Sequence, residues 1–147
     1  MENNYYTPEL SDLHIGYECE INLGGVVGWE KHTISMRDFE FTKPLHNNNL
    51  GAYRTPYLTK EQIEAEGWKF LHISQDLWFE KKGDFDFDNF YTSKLTMHYG
   101  AKAHIGYSDL RLTIIADDRG LAYKLFEGMC PSINEFRKIT KLIRITE

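Results

Sequence analysis

The chain lacks most of the residues that announce chemistry by spacing. It has two cysteines in 147 residues, Cys19 and Cys130, in no ligand pattern. A disulfide framework is therefore excluded as the organising principle, and a reducing compartment is the simpler setting. No apolar run approaches the ~20 residues that a helix needs to cross a bilayer. The opening MENNYYTPEL has neither the basic start nor the apolar stretch of an export signal, so a cytoplasmic location is expected. Lys and Arg total 17 against 22 Asp and Glu, a formal net charge of −5. That balance argues against general nucleic-acid binding, because a phosphate backbone requires a basic surface. No G-x-G-x-x-G, Walker A, C-x-x-C or H-E-x-x-H motif occurs. Internal repeats and linkers are also missing, which leaves one α+β domain over 1–147 as the expectation.

Aromatic residues, by contrast, are plentiful at 14%, with nine Tyr and nine Phe. They suit half-buried pleated surfaces and favour a sheet over a helix bundle. DLHIGYECEINL, residues 12–23, alternates without a break: Leu13, Ile15, Tyr17, Cys19, Ile21 and Leu23 on one face, and Asp12, His14, Gly16, Glu18, Glu20 and Asn22 on the other. Side chains along a strand switch faces at every residue, so the spacing predicts a strand that covers a core with its odd face. Cys19 on that face reads as an inert buried thiol. Gly24-Gly25 reads as the turn of a hairpin. A three-residue loop pairs Leu23 with Val27 and Ile21 with Trp29, which buries apolar groups together; a shorter loop would bury Glu30 and His32.

Further along, SMRDFEF reads as a helical turn leading into a short strand, and HNNNLG as a loop. Pro56 confines its segment to an edge or strand end. Thr59-Lys60-Glu61-Gln62 has capping-box spacing and opens a short helix that Gly67 ends. Residues 68–82 read as two strands broken near Gln75-Asp76, and GDFDFDN as an acidic interruption before a strand at 92–99. LRLTIIA and LAYKLFE flank a hairpin turn at Asp117–Gly120. Ser132 to Glu135 repeats the capping-box spacing. Ile133, Phe136, Ile139, Thr140 and Ile143 then form one helical stripe. The fold class is α+β: a mostly antiparallel twisted sheet of about six to eight strands. A short middle helix near 60–66 and a C-terminal helix near 133–143 pack on it.

Three groups of residues qualify as candidate sites. In the preferred hairpin register His14, Glu18 and Glu20 share an outer face, with His32 opposite Glu18 and Glu30 opposite Glu20. Imidazoles and carboxylates on one strand face are the donor set for Zn or Mn, so His14, Glu18 and His32 are the candidate metal ligands, although no cofactor is the primary expectation. Their bland reading is a solvated face with cross-strand Glu-His pairs. Arg137, Lys138, Lys141 and Arg144 lie toward the C-terminal end of the last helix; cations there stabilise the dipole, or contact an anion. Asp84, Asp86 and Asp88 alternate like a calcium loop, but Asn89 and Leu95 occupy the positions that need Gly and Glu. An acidic, pairing-resistant edge is the better reading.

Three segments, YYTPELSDLHIGYECE, YRTPYLTKEQIEAEGWKF and LFEGMCPSINEFRKITKLIRI, carry a resemblance. Together they resemble a family of small proteins of Bacteroidetes and their phages, in a Y-T-P opening, an arginine-bearing strand before an acidic helix, and a capped final helix. Pro56 departs from that pattern. The resemblance implies a phage setting and supplies no catalytic residue. The expected function is a non-enzymatic accessory protein that binds a host component, as an anti-defence inhibitor that blocks a protein or sequesters a nucleotide-like signal. It has no membrane partner, and self-association is allowed. Arg54 is the foremost binding candidate, with Arg137, Lys138 and Lys141 behind it. The alternatives are a metal-dependent phosphoester hydrolase using the His14/Glu18/His32 face, and a virion or assembly component.

Overall fold

A computed structural model describes residues 4–22, 24, 28–40, 50–87, 90–100, 110–118 and 120–143. Contacts gather these into two compact units, Met1–Tyr57 and Leu58–Glu147. The α+β class holds, with antiparallel pairing throughout and a C-terminal helix; the strands form two sheets, one in each unit. No helix among the described residues is long and apolar enough to cross a membrane.

The first unit contains β1 (Tyr5–Tyr6), β2 (Glu18–Ile21), β3 (Glu30–Thr33), helix α1 (Met36–Glu40) and β4 (Tyr53–Pro56), in the sheet order β1-β4-β2-β3. The alternating stretch is strand over only part of its length. Leu10–Asp12 winds into a 3₁₀ turn closed by the Glu9 N–H on Asp12 Oδ2 at 2.9 Å. Gly16 then adopts φ +92, which an L side chain rarely tolerates. The chain turns there, with Gly16 N–H donating to Ile34 O at 2.8 Å. Leu13, Tyr17, Cys19 and Ile21 are buried as the alternation requires, whereas Ile15 at the turn is 58% exposed. Pro56 ends β4 opposite Tyr5, so its missing N–H interrupts no interior ladder.

The hairpin register differs from the expected one by a single residue. Cys19 faces His32 and Ile21 faces Glu30, not Trp29. Leu23 and Val27, on which the apolar argument rested, lie outside the described residues. The slip has a physical reason on both faces. His32, drawn to the Cys19 side, is met by Asp38 from α1 at 2.6 Å, and Trp29 is released to lie against a cation.

The second unit is an antiparallel meander: β5 (Lys69–Ser74), β6 (Asp76–Phe87), β7 (Phe90–Tyr99), β8 (Arg111–Asp118) and β9 (Leu121–Met129), ordered β5-β6-β7-β8-β9. Gln75, at φ 62, makes the expected break between β5 and β6. The Gly83–Phe87 part of GDFDFDN does not interrupt the sheet, however. Gly83–Phe87 continues β6 after a bulge between Lys82 and Phe85, because Phe85 supplies an apolar side chain to bury (8% exposed). Asp84 and Asp86 are exposed on this stretch, which extends beyond the residues paired with β5.

Helix α2 (Lys60–Ala65) has the expected reciprocal cap: Gln62 N–H donates to Thr59 Oγ1 at 3.2 Å and Thr59 N–H to Gln62 Oε1 at 3.1 Å. Helix α3 (Ile133–Leu142) buries the expected stripe of Ile133, Phe136, Ile139 and Thr140. Its Ser132 makes no side-chain cap; the residue is buried, and its Oγ accepts from Asn134 instead. Phe136 is fully buried and meets Trp68 edge-to-face at 6.4 Å.

Truncating Phe136 to Ala is expected to cost about 3–5 kcal/mol in urea denaturation, from lost burial plus the cavity left behind. Leu142→Ala, at a 74% exposed position of the same helix, is expected to change stability by less than about 0.5 kcal/mol.

Candidate functional site

On the outer face of the first sheet β2 pairs with β4 so that Glu20 faces Arg54. Arg54 Nε and Nη2 both donate to Glu20 Oε1, at 3.1 and 2.7 Å. The guanidinium carbon lies 3.8 Å from the ring centroid of Tyr5 and 4.4 Å from that of Trp29. One cation thus touches β1 through Tyr5, β2 through Glu20, and the residue that leads into β3, from its own place on β4. A delocalised guanidinium stacks well on aromatic faces and sheds water more readily than an ammonium. The side chain is still 28% exposed. Glu20 takes the edge formed by Nε and Nη2, which leaves the end-on edge with one N–H on each terminal nitrogen. That is the fork which grips two oxygens of a carboxylate or phosphate.

The inner side of the same sheet is polar at its centre. Tyr17 Oη and Thr55 Oγ1 are 2.7 Å apart, and burial pushes the Tyr17 phenol well above its ordinary range. Asp38 is 3% exposed and accepts from Ser35 N–H at 2.7 Å, Ser35 Oγ at 3.1 Å and His32 Nε2 at 2.6 Å. Burial works to raise the Asp38 pKa; the Ser35 and His32 hydrogen bonds outweigh it and hold the carboxyl below its ordinary value. Burial, reinforced by the Asp38 and Glu20 charges, pushes the Cys19 thiol up to about 12, so it is protonated at neutral pH and inert as a nucleophile. The Tyr53 hydroxyl, also pushed up to about 12 by burial, has no hydrogen-bond partner among the described residues.

The expected metal set of His14, Glu18 and His32 is not brought together. His14 precedes β2 in the turn, its Nδ1 3.0 Å from Ile15 O and its ring edge-on to Tyr17. Glu18 faces Thr33 on the outer side, while His32, shifted by the register slip, sits with Cys19 and Asp38 on the inner side. Among the described residues no group of three or more His, Cys, Asp or Glu is placed to hold a metal ion. Arg137 is engaged by Glu66 Oε1 at 2.8 Å, and Lys138 and Lys141 are exposed on the solvent side of α3. His46, His104, Asp88, Asn89 and Arg144 lie outside the described residues.

A second feature had no periodicity to reveal it. His72, Trp78 and His98 line up across β5, β6 and β7, with ring centroids 6.0 and 4.6 Å apart. Asp76 Oδ2 lies 2.8 Å from His98 Nδ1. Only the pairing of three strands brings these rings into one row.

Comparison with protein-family models, with curated proteins and with solved structures finds no match to the chain.

The depressed Asp38 carboxyl carries a pH signature. Its contribution to stability is expected to be complete above the unfolded-state value of about 3.9 and to fade as pH falls through the lower folded value. Asp38→Asn should flatten that acid limb in pH-dependent denaturation. It should also lower stability at pH 7 by about 1–3 kcal/mol through the weakened partners of Ser35 and His32.

Proposed function

We propose that the protein is a non-enzymatic accessory protein of the phage type its sequence resembles, acting in the host cytoplasm as an anti-defence inhibitor that sequesters an anionic, nucleotide-like signal. The observation that supports this reading is the Arg54 guanidinium, set against the rings of Tyr5 and Trp29 with its end-on edge not used by Glu20. A fixed fork loses little entropy on binding an anion, and that preorganisation favours affinity. The flanking rings offer apolar edges to a planar group beside the phosphate. Glu20 half-neutralises the cation, so recognition rests on geometry more than on charge. The −5 balance of the whole chain meanwhile repels long polyanions.

Within the first unit, the inert state of Cys19 and the internal use of His32 and Asp38 also favour binding over chemistry.

Calorimetric titration with linear and cyclic nucleotides and with pyrophosphate tests the reading. Arg54→Lys should weaken binding by about tenfold, about 1.4 kcal/mol, because an ammonium cannot present the fork. Glu20→Gln, which frees the guanidinium charge, should tighten it. Affinity indifferent to Arg54→Lys would contradict the proposal. Capture of a host protein in place of any nucleotide would move it to the blocking form of inhibition.

A further inference from the structure

The sheet of the second unit ends in β9, whose outer edge has no strand partner among the described residues. Its backbone can be followed donor by donor. Cys130 N–H donates to Leu110 O at 2.9 Å, and Gly100 N–H to Arg111 O at 3.0 Å. Even-numbered residues of β8 therefore point their N–H and C=O groups at β9, and odd-numbered ones at β7, as antiparallel alternation requires. Gly128 faces Leu112 and Phe126 faces Ile114, so both turn their backbone groups inward; Glu127 and Met129 turn theirs to the open edge. A bulge then intervenes, with Ile115 facing Lys124 and Ala116 facing Tyr123. Beyond it Tyr123 and Leu121 bond inward, and Ala122 and Lys124 face out.

The outward-facing positions are thus Ala122, Lys124, Glu127 and Met129, and their spacing is symmetric about the bulge. A bulge on an edge strand normally spoils pairing with another chain. Here the distortion sits at the centre of symmetry, so a second β9 running antiparallel carries it at the same place. The two strands fit in one register. Ala122 of each meets Met129 of the other, and Lys124 meets Glu127, every pair directly bonded by backbone. Side chains agree with that register. Opposite charges face each other twice, and Glu127 lies 2.5 Å from Lys124 and 3.2 Å from Arg111 within its own chain. A large residue meets a small one: Met129, 55% exposed, against Ala122.

We propose that two copies of this chain associate through β9, edge to edge about a two-fold axis, joining their five-stranded sheets into one. A second copy is the occupant because the edge is complementary to itself, in hydrogen-bond spacing, charge and side-chain size together. The isologous contact closes after two copies and cannot propagate. This inference is independent of anion binding at Arg54, which lies on the other unit.

Sedimentation velocity on the full chain, from about 10 μM to about 500 μM, covers the range in which so small a contact associates. A concentration-dependent dimer is expected. Ala122→Pro removes an outward N–H without touching the ladder to β8, and should leave a folded monomer by circular dichroism. Lys124→Glu and Glu127→Lys should each weaken the dimer at least about tenfold by setting like charges opposite one another. An equimolar mixture of those two variants should restore it, since each then supplies the charge the other lacks. A chain monomeric throughout would overturn the proposal. So would a dimer unmoved by Ala122→Pro, or a mixture no better associated than either variant alone.

Discussion

A single guanidinium ties together the strands of the first sheet. Those strands are short, four residues or fewer, and backbone pairing over so few positions is weakly cooperative. Arg54 adds a connection that runs across the sheet: ring contact to Tyr5, charge-assisted bonds to Glu20, ring contact to Trp29. On the opposite face Asp38 does the corresponding work, tying α1 to β3 through His32 and to its own turn through Ser35. Polar contacts of this kind specify register more sharply than apolar ones, because an apolar pair tolerates a shift that a hydrogen-bonded ion pair does not.

The second unit is built on a different economy. Its strands are long, and large apolar side chains fill its interior: Phe79, Leu95, Met97, Leu112, Ile114 and Phe136 are all essentially inaccessible to water. Irregularities are concentrated where strands would otherwise overrun or expose an edge. Bulges fall between Phe70 and His72 on β5, between Lys82 and Phe85 on β6, and beside Leu125 on β9. The β9 bulge has the further consequence of making the edge pattern symmetric.

Much of this was legible in the sequence where the signal was local. The cap at Thr59 and Gln62, the break at Gln75, the hairpin before Leu121 and the buried stripe of α3 each rest on a few neighbouring residues whose chemistry admits one reading. The register of β2 and β3 did not, because it is decided by residues distant in sequence. Matching Ile21 to Trp29 rests on burying the indole with the core; Arg54, more than twenty residues later, lies against that ring instead. His32 likewise reads as a surface ligand from its sequence neighbours alone, and its partner on the inner side is Asp38. The interruption expected at GDFDFDN weighs its aspartates above its phenylalanines, whereas burial of Phe85 carries Gly83–Phe87 into the strand. Arg54 is singled out in the sequence only by the arginine-bearing segment of the resemblance; its fork emerges once β2 and β4 pair.

The central claim is that Arg54 is fixed by Glu20 against the rings of Tyr5 and Trp29 with its end-on edge left to bind an anion. Nitrogen-15 NMR of the arginine side chains tests this most directly. The account predicts separate Nη resonances for Arg54, shifted by the Tyr5 and Trp29 ring currents and slow to exchange by rotation, that move on addition of pyrophosphate. A single averaged Arg54 signal, at the position of the other exposed arginines and indifferent to anions, would contradict it.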